Sequence, residues 1–183
     1  VAEDLAALGL HVEAFGGGLA GNRKLGSAFW YGTTYFINDA FSLNAGLNLV
    51  RRPDWLIWQG AAQGVLVGAF DGRETTLRAG LDWNIDPRQE LRVKLEAIAI
   101  SARAHDAWRF DDAGHAVAAS DMVEDFQVRN LGFQVRYRYE LAPLSYLYVV
   151  YARGGYEQLA GTDGTADALR ARFSLRHDEQ MIV

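Results

Sequence analysis

Apolar and polar positions alternate one by one along most of this chain. In residues 131–140, Leu131, Phe133, Val135, Tyr137 and Tyr139 are separated by Gly132, Gln134, Arg136, Arg138 and Glu140. In residues 75–85 the odd positions read Thr75, Leu77, Ala79, Leu81, Trp83 and Ile85, against Thr76, Arg78, Gly80, Asp82 and Asn84. Phe41, Leu43, Ala45, Leu47 and Leu49 repeat the pattern, and Phe29, Tyr31, Thr33, Tyr35 and Ile37 share one side of the run before them. A period of two sends neighbouring side chains to opposite faces of a β-strand. Leu91, Val93, Leu95 and Ala97 likewise oppose Arg92, Lys94 and Glu96. Ile98 and Ile100 then fall on the charged side, so that end is expected to bury itself against another part of the protein or to bulge. No amphipathic helix competes; residues 3–8 allow a turn or two at most.

The connections predict the topology. Strands near 27–37 and 41–58 are joined by Asn38, Asp39 and Ala40. Those near 74–85 and 89–104 meet at Asp86, Pro87 and Arg88, and those near 126–140 and 145–154 at residues 141–144. Asn, Asp and Pro suit tight hairpin turns. Longer segments, 17–26, 59–73, 105–125 and 155–178, separate the hairpins if 41–58 is one strand; a split at Pro53 and Asp54, with 64–70 as a further strand, would spoil that alternation. Short turns at one end and long loops at the other predict an all-β, antiparallel up-and-down meander of about seven or eight long strands.

Charge tests the register. A turn over 86–88 sets Ile85 opposite Gln89, Asp82 opposite Arg92 and Arg78 opposite Glu96, and opposite charges across strands are favoured. A turn over 141–144 sets Tyr139 opposite Tyr146 and Tyr137 opposite Tyr148. That register turns Leu147 and Val149 toward the charged face, at odds with the pattern elsewhere.

A half-solvated sheet in a soluble protein alternates in the same way. The predicted strands are ten or more residues long, as a tilted membrane strand requires, and globular strands are commonly shorter. Aromatic residues gather near the strand ends. Tyr35, Phe41, Trp83, Tyr137, Tyr139, Tyr146 and Tyr148 are expected at the membrane interface. Arg78, Asp82, Arg92, Lys94, Glu96, Arg136, Arg138 and Glu140 are expected to line an enclosed aqueous space, where they either pair with one another or form a path that leans basic and favours anionic solutes. The fold expected is a transmembrane β-barrel, or the C-terminal sector of a larger one, with 1–183 a single domain whose first and last strands are incomplete. The alternative is a soluble β-sandwich binding carbohydrate on Trp55, Trp58 and Trp108.

The chain has 183 residues, half of them hydrophobic, with a net charge of −5 and no cysteine. No stretch approaches the ~18 apolar residues of a membrane helix. The negative charge argues against nucleic acid as a partner, and the missing thiols exclude disulfides and thiolate metal sites. The sequence opens on Val1 without an export signal and stops at Val183, so a processed product or fragment is expected.

The stretches 35–60, 89–100 and 130–155 resemble the C-terminal barrel of a bacterial outer-membrane family of uncharacterised function. Its members usually carry a family-nine-type carbohydrate-binding domain ahead of the barrel, which is also reminiscent of TonB-dependent receptors. The resemblance spans most of 27–183, and residues 55–58 and 136–145 are its most distinctive parts. It implies the last seven or eight strands of a larger barrel in the bacterial outer membrane. The partners implied are outer-membrane lipid, the barrel-assembly machinery and a small-molecule or carbohydrate solute. It transfers no catalytic residue.

Other chemistry is sparse. His105, Asp106, Asp111, Asp112 and His115, followed by Asp121, Glu124 and Asp125, have no recognised metal-ligand spacing and read as a solvated acidic loop. Residues 161–167 lack the repeat of a calcium turn. No motif links Ser101, Ser120 or Ser145 to His11, His105, His115 or His177. No enzyme activity, catalytic residue, metal or cofactor is expected.

Overall fold

The computed structural model describes residues 6–17, 24–61, 64–161 and 178–182. They form nine strands and no helix: β1 (Ala6–Gly17), β2 (Lys24–Asn38), β3 (Phe41–Gly60), β4 (Leu66–Asp86), β5 (Gln89–Phe110), β6 (Ala116–Ala118), β7 (Phe126–Ala142), β8 (Ser145–Ala160) and β9 (Asp178–Ile182). All belong to one antiparallel sheet in the order β1-β2-β3-β4-β5-β7-β8-β9, with the short β6 on the far end of β5. Among the described residues β1 and β9 do not pair with each other, so the sheet they form is open at both edges.

The three short hairpins share one construction. Each closes on a two-residue turn, at Asp39–Ala40, Pro87–Arg88 or Pro143–Leu144, one or two residues tighter than expected. Asn38 Oδ1 accepts from Ala40 N–H at 2.9 Å and Asp86 Oδ1 from Arg88 N–H at 2.7 Å, which is how Asn and Asp side chains imitate a backbone turn. A register shift precedes each turn and leaves Ile37, Ile85 or Leu141 without a partner across the hairpin. Gln89 therefore pairs with Asp86, not with Ile85 as expected. Leu144 takes a left-handed φ of 65° in its turn.

The strands outrun their predicted lengths. β4 begins at Leu66 and β5 continues to Phe110, so most of 59–73 and the start of 105–125 are strand. β3 runs unbroken from Phe41 to Gly60, with a register shift between Arg52 and Trp55 that absorbs Pro53 and Asp54. Residues 6–8, allowed above as helix, belong to β1.

Register decides the faces. Tyr35, Leu43, Leu81, Val93, Val135, Tyr151 and Met181 are successive cross-strand neighbours, an apolar row seven strands wide. Leu10, Tyr31, Leu47, Leu77, Ala97 and Leu131 form a second such row. On β3 this apolar face extends over positions 41 through 49 and ends at Arg51. There the faces exchange character: Ser27, Arg51, Arg73, Ser101 and Gln127 form a polar row on the formerly apolar side. On the opposite side Ile98, Ile100 and Val128 lead into a small aromatic core of Trp55, Phe70 and Phe126. The two isoleucines thus lie where the charged face itself turns apolar, and β5 does not bulge before Ala104.

Candidate functional site

The charged face is built by β4, β5, β7 and β8. Arg78 pairs with Glu96 at 2.5 Å and Arg92 with Asp82 at 3.2 Å, both directly opposite one another on β4 and β5, as the charge pattern predicts. Glu90 was not singled out in the sequence, yet it is the hub. Its side chain is 7 % exposed and meets three guanidiniums: Arg92, Arg138 at 3.0 Å and Arg136 at 3.7 Å. Burying a carboxylate is costly unless it is paired in this way. The signal was available, because Glu90 shares the parity of Arg92, Lys94 and Glu96. Arg138 continues the chain of charges onto β8 by stacking over the Tyr146 ring, 5.2 Å from its centroid. Glu140 lies on this face opposite Tyr146, and Lys94 lies opposite Gln134.

The pairing of β7 with β8 corrects the expected register by one residue. Tyr139 is opposite Leu147 and Tyr137 opposite Val149, while Tyr146 and Tyr148 face Glu140 and Arg138. Tyr146 and Tyr148 therefore belong to the charged face and not to an apolar interface with Tyr137 and Tyr139. The correction also removes the anomaly, because Leu147 and Val149 rejoin the apolar side. Tyr35, Phe41, Trp83, Tyr137 and Tyr139 share the apolar face near the short turns. Phe41 and Trp83 meet edge to face at 6.0 Å, and the Tyr137 hydroxyl donates to Gln89 Oε1 at 2.6 Å, giving the polar Gln89 a partner there.

A row of glycines crosses the charged face: Gly9, Gly32, Gly46, then Arg78 and Glu96, then Gly132 and Gly154. The Trp30 indole lies over Gly9 and Gly32, where an added Cβ would come within 2.6 Å and 2.9 Å of the ring. Above Gly132 the space is open. One tryptophan among small and polar neighbours was the sequence signal for this arrangement.

Beyond the band the face is closed over by residues 119–125. Asp121 accepts two bonds from Arg109, at 2.9 and 2.6 Å, and Asp125 Oδ1 accepts from Ala104 N–H at 2.8 Å. Val123 fits against Gly68 on the charged side of the sheet. The Arg109 guanidinium holds the Asp121 carboxyl below the ordinary carboxylate range. His105, in the β5 register shift, places one ring nitrogen 3.0 Å from Asp54 and the other 2.9 Å from Asp106. Asp54 also accepts from Lys24, whose ammonium it raises above its ordinary value. Asp111 closes a local turn through the His115 and Ala113 N–H groups, and its carboxyl is lowered by them.

Among the described residues no three His, Asp or Glu side chains converge to hold a metal ion. Residues 162–167 and His177 lie outside the described residues. Trp58 and Trp108 share one face across Val67, but Trp55 points to the other, so the three do not form one stacking platform. The chain matches no family model, no curated protein and no solved structure.

Proposed function

We propose that this sheet is a wall of a bacterial outer-membrane β-barrel, with its apolar face against lipid and its charged face lining a water-filled path for a solute. The observation that carries the reading is the exposure of the apolar face, where Tyr35, Leu43, Leu77 and Trp83 are exposed while Ala97 and Leu131 are buried. Large side chains run across seven strands of a single sheet, and among the described residues no second layer lies over them. Water is a poor neighbour for a surface of that extent, and lipid is a good one. The height of the band supports the same reading. Positions 41 through 49 on β3 match the ~9–11 residues with which a tilted strand crosses a bilayer. Where the band ends, polarity changes sides, as it should where strands emerge into water.

A spanning sheet cannot leave bare backbone in hydrocarbon. On this reading the β1 and β9 edges are paired in the membrane, with each other or with further strands, as the resemblance to the C-terminal sector of a larger barrel implies. Assembly machinery of the outer membrane and a carbohydrate or other small solute are the partners this reading supplies. Extraction tests it. The protein should need detergent to stay in solution and should migrate differently on gels before and after heating. A monomer that is freely soluble without detergent would overturn the proposal.

A further inference from the structure

Cations on β5 and β7 are not balanced by the carboxylates beside them. Arg92 sits directly opposite Arg136, and like charges in that position destabilise a sheet. Three guanidiniums share Glu90, and Arg136 is the most distant at 3.7 Å. Lys94, one step along β5 on the same face, has no ion pair or hydrogen bond among the described residues. It borders a depression of about 580 Å³ lined also by Asn44, Gln134, Gly132, Gly154 and the Arg78–Glu96 ion pair. That is the size of a small-molecule site, and the glycines leave its floor open. Arg136 lies outside that lining, diagonal to Lys94 in the β5–β7 pairing.

We infer that Lys94 and Arg136 form an oxyanion-binding subsite that takes the phosphate or carboxylate group of an anionic solute. Lys94 supplies a mobile point charge, and the Arg136 guanidinium supplies a planar pair of donors suited to two oxygens. The Gln134 and Asn44 amides add donors that adapt to the rest of the solute. A bound anion also screens Arg92 from Arg136, so occupancy relieves the repulsion the strand pairing imposes. The inference deepens the proposed function and rests on it for access from a water-filled path.

The full chain reconstituted in planar bilayers tests it under a KCl gradient, with inorganic phosphate as probe. The expected result is a reversal potential favouring anions, with the chloride current reduced by millimolar phosphate. Lys94→Gln with Arg136→Gln should abolish both effects while conductance persists. Conductance without anion preference, or equal phosphate block in the variant, overturns the subsite and leaves the barrel standing. Absence of any conductance counts against the path itself. Calorimetry in detergent then decides the subsite separately: phosphate should bind about tenfold more weakly to the double variant, and equal binding would overturn it.

Discussion

Tyr139 on β7 faces Leu147 on β8, and this single pairing sets the composition of both faces of the last long hairpin. It keeps Leu147 and Val149 among apolar neighbours and brings Tyr146 beneath Arg138. Cysteine pairs test it directly, because the chain has no cysteine of its own. Directly opposed positions have the Cα spacing and Cβ direction a disulfide needs, and positions on opposite faces point their Cβ atoms apart. Tyr139→Cys with Leu147→Cys should cross-link on mild oxidation. Tyr139→Cys with Tyr146→Cys should not, as read by mobility on a non-reducing gel.

Glu90 is the most heavily used carboxylate of the charged face. Glu90→Gln leaves Arg92, Arg136 and Arg138 crowded around a neutral, nearly buried amide, and is expected to cost about 3 kcal/mol of unfolding free energy. Glu140→Gln removes a part-exposed charge from the same face and should change stability by about 0.5 kcal/mol or less. Denaturant titration of both variants checks the contrast.

Acid should release residues 119–125. The Asp121 carboxyl is depressed in the folded protein by Arg109, so its stabilising effect is complete above the unfolded carboxylate value of about 3.9 and is lost as pH falls through the lower folded value. Amide exchange at Ala119, whose N–H bonds Ala107, and at Ala104, bonded to Asp125, should quicken below that pH. Asp121→Asn should show the same quickening at neutral pH.

Much of the fold was legible because side-chain period and turn chemistry act locally. Asn38 and Asp86 announce their turns by the bonds they make, and Asp82 with Arg92 and Arg78 with Glu96 fix the β4–β5 register by charge. The β7–β8 register was not legible. Two tyrosines on each strand offered an attractive match one residue away, and the unpaired Leu141 beside a two-residue turn shifts the ladder by that residue. Strand length was hidden as well. Residues 64–70 offer a strand that would spoil the alternation of short and long connections, and that alternation favours a loop over 59–73, but backbone pairing with β3 and β5 keeps 66–73 extended. Of the charged face, parity includes every member, Glu90 among them, but not its role as hub, because the convergence on Glu90 draws on two strands that are neighbours only in space.

The apolar face has its own energetic signature. Val135 lies midway along the band, between Val93 and Tyr151. Val135→Arg should cost roughly 2–4 kcal/mol of stability in lipid vesicles, and Gln134→Arg, one position along on the other face, should be tolerated. Unfolding of both variants from vesicles gives the comparison.

Single cysteines placed in turn at 133, 134, 135, 136 and 137 test the two-faced wall most directly. In proteoliposomes, positions 134 and 136 should react with a charged, water-soluble thiol reagent. Fluorophores at 133, 135 and 137 should instead be quenched by spin-labelled lipid and resist that reagent. Equal reaction at all five positions, or protection of the odd ones without contact to lipid, would contradict the account.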